Sequence, residues 1–378
     1  MHVHRSFLLR YTKLQILEES IFFFLEVLLK MGTNLSVPEV DQSGKVAIVT
    51  GGNTGIGYEL VKGLAEMGAT TIMASRSEER AMAAIAKIKE SSDKDLKIEF
   101  MHLDLASFQA TKDFVRAFKE KNLPLHILIN NAAVAAVPFS RTDDGMEMQY
   151  QVNHLSPFLL TLELLPTVIE TASSSGDGRI LFVSSVAHVR GWAGTVNFDT
   201  INSEQDYGRF NAYGRSKLYN VMTTFALQRR LQDVNITVSA QHPGLVKTEL
   251  SRGTSDKVVM TALFKPMEMI FARTPVKGAS TTLNCAINPA LNSQTAHYYS
   301  SCRETQCSPD ARNVEYQEEL WRRSVEGLRD HLSPEILDMY GSTLPIEQPT
   351  TVATEQPTTV ATTVEQITTD PKATANAE

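Results

Sequence analysis

The sequence predicts an α/β fold in which one doubly wound parallel β-sheet is covered by helices on both faces. Between residues 45 and 299, short apolar segments alternate with longer segments whose apolar residues recur at helical spacing. The first short segment, residues 46–49, is apolar throughout and rich in β-branched residues, which is typical of a strand buried on both faces. A glycine-rich turn follows it directly.

The alternation predicts a single domain over residues 43–340, without a second domain or an internal repeat. The predicted strands cover residues 45–50, 70–75, 97–102, 125–130, 179–184, 235–241 and 296–299. The predicted helices cover residues 55–68, 77–91, 107–121, 144–172, 211–232, 258–272, 275–287 and 313–330.

Both ends of the chain differ from this domain in composition. Within an N-terminal extension, residues 1–42, the strongly apolar segment 20–29 is only about half as long as a membrane span and contains Glu26. We expect it to form a helix in the membrane interface, the alternative being packing on the domain. Residues 341–378 repeat a Thr-Thr-Val unit and lack aromatic residues, so we expect a disordered low-complexity tail, solvated or glycosylated.

The overall composition is that of a globular protein, with 42% hydrophobic and 21% charged residues. The net charge of −7 gives no reason to expect a nucleic-acid partner. The three cysteines, Cys285, Cys302 and Cys307, are too few for a disulfide framework and lack the spacing of metal ligands. We therefore expect free thiols in a reducing compartment and no metal site.

The turn after the first strand is the strongest sign of a ligand. Glycine tolerates positive φ and close approach to a ligand, and a helix N-terminus offers N–H groups to a phosphate. The glycine spacing matches neither the general dinucleotide fingerprint nor a P-loop, since the third glycine, Gly57, is followed by Tyr58. The predicted phosphate-binding residues are Thr50, Gly51, Asn53, Thr54, Gly55, Ile56 and Gly57.

The residue after the second strand bears on the choice of cofactor. At this point of a dinucleotide-binding fold an acidic residue accepts the ribose 2′-hydroxyl, whereas an arginine accommodates a 2′-phosphate. Because Arg76 stands here, NADP(H) is favoured and NAD(H) is the alternative. Arg76 could instead pair with Glu78 or Glu79 on a solvated face.

Further cofactor contacts are expected after the third and fourth strands. Asp104 and Leu105 lie where the adenine edge would arrive, although Asp104 could instead cap the next helix. Asn131 and Ala132 belong to the sequence Asn-Asn-Ala-Ala. Asparagine amides in this position could also bridge neighbouring strands without touching a ligand.

A second group of residues indicates acid–base chemistry. Tyr213 and Lys217 lie four residues apart on a predicted helix, so one face carries a phenol and a cation that can lower the phenol's pKa. Ser185 ends the fifth strand, at the sheet edge where ligands bind, and is preferred to Ser184 because it is the last serine before the loop. Asn153 lies within a predicted helix, where asparagine is unfavourable, so we expect it to have a function.

Together with Pro243-Gly244, these motifs resemble those of the short-chain dehydrogenase/reductase superfamily over about residues 43–330. Within it, the sequences Val-Ser-Ser-Val-Ala-His and HPGLVKTEL are similar to the branch of the retinol dehydrogenases and WW-domain oxidoreductases. Segments such as LPLHILINNA and YQEELWRRS are similar to the X-linked, polyprenol dehydrogenase-like members of that branch.

The resemblance implies a Rossmann-type fold and an NAD(P)-dependent oxidoreductase acting on CH–OH groups. Its substrate would be a lipophilic alcohol and its aldehyde or ketone, of retinoid, polyprenol or steroid type. Tyr213 would donate or accept the proton, and Lys217 would lower its pKa and hold the ribose hydroxyls. Ser185 would polarise the substrate oxygen, and Asn153 would complete the proton path through water.

The same resemblance implies roles for the segment after the sixth strand. Pro243, Gly244 and Thr248 would contact the cofactor, Thr248 at its carboxamide. The methionine-rich segment 251–273 would cap a lipophilic substrate, the alternative being packing into the core.

Partners and location follow as expectations. We expect a small lipophilic substrate, a homodimer, peripheral membrane contact through the N-terminal segment, and a place on the cytoplasmic face of the endoplasmic reticulum or a lipid droplet, or in the cytoplasm. A non-enzymatic module that binds dinucleotide and reports redox state is the alternative function, but the presence of Tyr213 with Lys217 favours an enzyme. A surface protein with a mucin-like tail is a third alternative, which glycosylation at Asn34 would indicate.

Overall fold

Eight strands form one sheet in the computed structural model, which describes residues 35–189, 193–194, 196–205, 207–246, 273–292 and 295–342. Their order across the sheet is 3-2-1-4-5-6-7-8, and the first seven are parallel while the eighth runs antiparallel to the seventh. The strands are β1 (Val46–Thr50), β2 (Thr70–Ser75), β3 (Ile98–His102), β4 (Ile127–Asn130), β5 (Gly178–Val183), β6 (Ile236–His242), β7 (His297–Ser300) and β8 (Arg303–Glu304). The strand order reverses direction between β1 and β4, which is where such sheets bind ligands at their carboxyl ends.

Nine helices are described here, and they pack on the two faces of the sheet. They are α1 (Gly55–Glu66), α2 (Glu78–Glu90), α3 (Phe108–Glu120), α4 (Met148–Ser175), α5 (Arg209–Arg230), α6 (Pro275–Ile287), α7 (Pro309–Arg312), α8 (Val314–Gly327) and α9 (Pro334–Tyr340). The helices α1, α2 and α6 share one apolar cluster with the sheet, whereas α3, α4, α5 and α8 share the other. Alternate residues of β1 enter the two clusters, and all five are buried, because the strand is covered on both sides.

The longest helix, α4, is interrupted near its start by a π-helical turn over Gln151–Leu155. The N–H of Ser156 donates to the carbonyl of Gln151, one residue further back than in an α-helix. By length and composition α4 could cross a membrane, but 78% of its most apolar window is buried inside the protein, so it serves as a core helix.

The outer side of α5 is covered by α8. Glu318 of α8 accepts hydrogen bonds from Arg229 at 2.7 Å and Arg230 at 2.6 Å, and the Arg230 guanidinium stacks 3.9 Å from the ring centroid of Trp321. Burial of this charge network is compensated by its pairing. These contacts fix the helix that carries Tyr213 and Lys217.

The predicted strands agree with the observed ones to within two residues, and helix 275–287 is reproduced in full. Strand β8 and helices α7 and α9 were not predicted. The turn before β8 has positive φ at Ser301 (53°) and Cys302 (58°). Glycine or asparagine usually occupies such positions in a hairpin, and because neither is present the hairpin could not be predicted. The N-terminal segment with Asn34, the predicted helix 258–272 and the Thr-rich tail lie outside the described residues.

Candidate active site

The turn between β1 and α1 depends on glycine. Gly51 and Gly55 have φ of +66° and +55°, the left-handed region that favours glycine. A Cβ on Gly57 would overlap the carbonyl oxygen of Gly51 and lie 2.7 Å from Nδ2 of Asn131. The predicted residues from Thr50 to Gly57 therefore form one tight turn around the first N–H groups of α1, a suitable place for a phosphate.

Thr50 and Asn131 join the carboxyl ends of β1 and β4. The Thr50 hydroxyl accepts hydrogen bonds from the N–H groups of Asn131 at 2.9 Å and Ala132 at 3.0 Å. The Asn131 amide in turn donates to the Thr50 carbonyl at 2.8 Å. The amide thus makes the strand bridge considered from the sequence, and it holds the predicted cofactor residues Thr50, Asn131 and Ala132 together.

At the end of β2, Arg76 is exposed and forms no ion pair with Glu78 or Glu79 within the described residues. Next to it, the buried hydroxyl of Ser75 has no hydrogen-bond partner in the described part of the chain. A buried polar group without a partner costs stability unless a ligand or water satisfies it. Ser75 was not predicted from the sequence, although its place before Arg76 was the available signal.

Asp104 and Leu105 follow β3 but are engaged within the protein. One carboxylate oxygen of Asp104 accepts a hydrogen bond from the N–H of Ala106 at 3.0 Å, so it stabilises the turn before α3. The cap of α3 itself is Ser107, whose hydroxyl accepts from Ala110. From the sequence, the alternative role of Asp104 was to cap the next helix. In the structure it stabilises the turn that precedes this helix instead.

The predicted acid–base residues meet at the carboxyl end of β5. The side chain of Ser185 lies beside the hydroxyl of Tyr213 and acts to lower its pKa, as a hydrogen-bonding neighbour does. Lys217 Nζ donates to the carbonyl of Val183 at 2.9 Å and lies 5.8 Å from the ring centroid of Tyr213. Ser184 points elsewhere, donating to the Lys217 carbonyl at 2.8 Å. Ser185 is thus the serine that faces Tyr213.

Burial controls the ionisation of this group. It raises the pKa of Tyr213 to about 12, against the opposing effect of the hydrogen bond from Ser185. It lowers the pKa of Lys217, whose side chain is almost fully buried, to about 7. The direction for Tyr213 is opposite to the lowering of the pKa expected from the sequence, because the loss of water outweighs the effect of Ser185.

The Asn153 side chain, fully buried in the π-helical turn, holds two walls of the site. Its Oδ1 accepts from the N–H of Val134 at 2.8 Å, and its Nδ2 donates to the carbonyl of Val134 at 2.8 Å and to the Ser216 hydroxyl at 3.0 Å. It therefore ties the loop after β4 to α5, three residues beyond Tyr213, and makes no direct hydrogen bond to Lys217 in the structure as described.

Gln149 and Tyr207 continue this clamp and were missed by the sequence reasoning. Gln149, one turn before Asn153 on α4, accepts from the N–H of Ala136 at 2.7 Å and donates to the Tyr207 hydroxyl at 2.7 Å. Tyr207 donates to the carbonyl of Val137 at 2.8 Å. The sequence signal for this clamp is the pair of amide side chains, Gln149 and Asn153, which are four residues apart and therefore on one helix face.

The end of β6 forms a further turn. Gly244 has φ of +82°, and its N–H donates to Nδ1 of His242 at 3.0 Å. Arg273 donates to the Pro243 carbonyl at 3.2 Å, and a Cβ on Gly244 would lie 2.9 Å from the Arg273 guanidinium. Pro243 and Gly244 therefore lie at the same sheet edge as Ser185, while Thr248 and residues 251–272 of the expected substrate cap lie outside the described residues.

These features fit a dinucleotide. The cradle that a Cβ at Gly57 would fill, the helix N-terminus at Gly55 and the unsatisfied hydroxyl of Ser75 lie along the carboxyl edge of β1 and β2. The acid–base pair lies further along the same edge, at β5 and α5.

Known proteins place the chain in a family. A family model described as short chain dehydrogenase matches residues 45–258. Human retinol dehydrogenase 12 is 40% identical, with 78% of this chain and 88% of that protein covered. Human polyprenol dehydrogenase is 37% identical, covering 75% and 84%, and human WW domain-containing oxidoreductase is 36% identical, covering 78% and 70%. The identity to retinol dehydrogenase 12 thus exceeds that to polyprenol dehydrogenase, which the sequence segments had favoured.

Solved structures agree on the fold. An uncharacterised protein from Mycobacterium paratuberculosis superposes with a TM-score of 0.60 at 28% identity, covering 76% of this chain and 94% of that one. The complex of Pseudomonas aeruginosa RhlG with NADP gives a TM-score of 0.55 at 24% identity, covering 70% and 98%. The chain therefore belongs to the short-chain dehydrogenase/reductase family, in the branch of the retinol and polyprenol dehydrogenases and WW domain oxidoreductases, and is an NAD(P)-dependent oxidoreductase that acts on alcohols.

Proposed function

We propose that the chain transfers a hydride between NADP(H) and a lipophilic alcohol–carbonyl pair of retinoid, polyprenol or steroid type. The observation that carries this proposal is the position of Tyr213 beside both the Ser185 side chain and the buried Lys217, whose Nζ lies 5.8 Å from the centroid of the Tyr213 ring. A hydroxyl that can hold a substrate oxygen, a proton donor and a cation are thereby brought to the sheet edge where ligands bind.

In the direction of reduction, the carbonyl carbon would accept the hydride that a nicotinamide cofactor supplies when bound. Ser185 holds the carbonyl oxygen by a hydrogen bond, and Tyr213 donates its proton to that oxygen as the new C–H bond forms. One hydride and one proton give the alcohol, and oxidation of the alcohol reverses both transfers. With its pKa raised to about 12, the phenol of Tyr213 stays protonated at neutral pH and therefore has a proton to donate.

Lys217 and Asn153 serve this step by position and charge. Because the pKa of Lys217 is near 7, a nearby negative charge would be enough to keep its ammonium group protonated at neutral pH. It would hold the ribose hydroxyls and stabilise the phenolate of Tyr213 during alcohol oxidation. Asn153 fixes α5 against the loop after β4. From this position it would complete the proton path through water.

The preference for NADP(H) rests on the end of β2. Arg76 is exposed there, and no acidic residue occupies position 75 or 76. Ser77 starts α2 as its N-cap, so the first N–H groups of that helix follow Arg76 directly, in a turn that also carries the carboxylates of Glu78 and Glu79. NAD(H) is the runner-up.

The lipophilic substrate class rests on the names of the relatives, retinol dehydrogenase 12 and polyprenol dehydrogenase. The cap over residues 251–273, peripheral membrane contact through residues 20–29, a cytoplasmic-face location and a homodimer are proposals that accompany it.

A turnover screen tests the proposal. The full chain is assayed with NADPH and NADH against retinal, a polyprenal and steroid ketones, beside Tyr213→Phe and the control Tyr219→Phe, a buried tyrosine on the same helix. We expect wild-type and Tyr219→Phe protein to reduce at least one carbonyl with NADPH preferred, and Tyr213→Phe to lose about 10²–10⁴-fold in kcat. Equal rates for Tyr213→Phe and wild type would contradict the proposal, and wild-type protein that binds NADPH yet reduces none would favour the redox-sensing alternative.

A further inference from the structure

His188 is a buried histidine that the proposed chemistry does not use. It closes the short 3₁₀ turn Val186–His188, which begins directly after Ser185, and only 3% of it is exposed. One ring nitrogen lies against the backbone of Ser185, which is close in sequence, and the other against the backbone of Ser308, which is distant in sequence. A buried imidazole held at both nitrogens has a fixed orientation and a defined tautomer.

The partners of the ring assign that tautomer. Nε2 lies 3.1 Å from the backbone nitrogen of Ser308, whose N–H can only donate, so Nε2 is the unprotonated acceptor. Nδ1 lies 2.7 Å from the carbonyl oxygen of Ser185, which can only accept, so Nδ1 carries the proton. The backbone N–H of His188 also donates to the Ser185 carbonyl at 3.0 Å. That carbonyl is therefore held by two N–H groups of one residue.

The ring itself is held by aromatic packing. Its centroid lies 4.8 Å from that of Tyr298 on β7, and the Tyr298 hydroxyl is 3.3 Å from Nδ1. Tyr298 stacks in turn on His242 at 6.0 Å, beside the turn of Pro243 and Gly244. Rotation of the imidazole away from Ser185 would break this packing.

We propose that His188 is a positioning residue for Ser185 in hydride transfer. The hydroxyl of Ser185 accepts a hydrogen bond from the N–H of Ala187 at 3.2 Å and lies beside the hydroxyl of Tyr213, so its direction depends on the backbone of the turn. By donating from Nδ1 to the Ser185 carbonyl, His188 fixes that backbone and keeps the hydroxyl directed at Tyr213. The inference rests on the proposed role of Ser185 in holding the substrate oxygen.

Two substitutions separate the two ring nitrogens. In His188→Asn the amide nitrogen can occupy the place of Nδ1 and still donate to Ser185, but the acceptor for Ser308 is lost. In His188→Gln the amide oxygen can occupy the place of Nε2 and accept from Ser308, but the donor to Ser185 is lost. A purely structural role would make both variants equal in kcat once they are folded.

The test measures kcat and cofactor KM with NADPH and the carbonyl that wild-type protein reduces best. We expect His188→Gln to lose about 10- to 100-fold in kcat with cofactor KM within about twofold, and His188→Asn to stay within about threefold of wild type. The control is His126→Asn, another buried histidine whose Nδ1 accepts from the Val46 N–H at 3.1 Å near the amino end of β1. It should lower stability without changing kcat.

A second readout needs neither turnover nor a folded variant. Two-bond ¹H–¹⁵N spectra of the wild-type protein, which has nine histidines, should show His188 neutral and protonated at Nδ1. A proton on Nε2, or a kcat of His188→Gln equal to that of wild type or of His188→Asn, would overturn the inference. Wild-type protein without any turnover would overturn the proposed function and this inference with it, whereas an active wild type with an unaffected Gln variant overturns the inference alone.

Discussion

The turn after β1 lies on the same edge of the sheet as the group of Ser185, Tyr213 and Lys217 at the end of β5, which is called the cleft below. The two are built differently. The turn consists of backbone, and its groups pair within the protein through Thr50 and Asn131. The cleft consists of side chains whose ionisation is shifted by burial, above all Tyr213 and Lys217. The turn is thus held in shape by its own hydrogen bonds, whereas the catalytic half contains groups whose charge a ligand can change. Substitutions in the turn should change cofactor binding, and substitutions in the cleft should change kcat.

After the loss expected for Tyr213→Phe, the largest effect is expected at the pair of serines after β5. Ser185→Ala removes the hydroxyl that faces Tyr213 and should lower kcat by about 10²–10³-fold, as loss of an oxyanion-hole donor does, with cofactor affinity unchanged. Ser184→Ala is the matched control, because that hydroxyl is bonded to the Lys217 carbonyl and should affect mainly stability. Steady-state kinetics of both variants show which serine serves the reaction. A larger loss of kcat for Ser184→Ala than for Ser185→Ala, with an intact fold, would mean that the wrong serine has been assigned.

The next effect should appear in cofactor binding alone. Gly57→Ala places a methyl group against the Gly51 carbonyl and Asn131, and the resulting strain, about 1–3 kcal/mol, should weaken NADPH binding by about 10- to 100-fold. Gly63→Ala, on the same helix, meets only the flexible end of Leu283 and should bind NADPH nearly as wild type does. Calorimetric titration gives both affinities. Unchanged binding by Gly57→Ala would show that the turn does not hold the phosphates.

Within the cofactor half, Arg76 should affect one cofactor only. Arg76→Ala removes an exposed cation at the end of β2 and should raise the Kd for NADPH about 10-fold, the size of one charge-assisted hydrogen bond, while leaving that for NADH within twofold. Arg80→Ala, also exposed on α2, is a control for the general loss of positive charge. If both cofactors weaken equally, the predicted NADP(H) preference fails.

The last effect concerns stability rather than binding or rate, and it belongs to the catalytic half. Burial lowers the pKa of Lys217 from 10.5 to about 7, so between these pH values the unfolded chain binds a proton that the folded protein does not. Stability should therefore rise with pH through this window by up to about 1.4 kcal/mol per pH unit from this residue, and its cost is fully present below pH 7. Lys217→Met should lack the rise.

Urea unfolding of the protein without cofactor at pH 7, 8 and 9 measures this slope. The comparison with Lys217→Met isolates the lysine, because other buried tyrosines and cysteines titrate in both proteins. Parallel slopes for the two proteins would show that Lys217 keeps an ordinary pKa.

The same contrast explains what the sequence could predict. The glycine turn, the seven parallel strands and the order of Asn153, Ser185, Tyr213 and Lys217 follow local patterns, and the strands and helices that carry them are observed. The partners of Asn153, which are Val134 and Ser216, depend on packing between distant segments and leave no local pattern.

The ionisation of Tyr213 was also beyond the sequence. The four-residue spacing to Lys217 correctly brought a cation to the same helix face, but burial is a property of the whole fold, and it reverses the expected direction of the pKa. The unsatisfied hydroxyl of Ser75 and the hydrogen bond of Gln149 to Tyr207 likewise depend on the packing of the whole fold and could not be predicted from the sequence. The sequence indicates which chemistry is present, whereas packing decides the state in which its groups are held.

The most direct test of the account is transfer of deuterium from cofactor to substrate. Wild-type protein and Tyr213→Phe are incubated with NADPH that carries deuterium at both C4 positions of the nicotinamide and with a lipophilic carbonyl such as retinal, and the alcohol is analysed by mass spectrometry. The account predicts one deuterium on the carbinol carbon of the wild-type product and little product from Tyr213→Phe, although both proteins bind NADPH equally. Alcohol without deuterium, or equal deuterated product from both proteins, would contradict it.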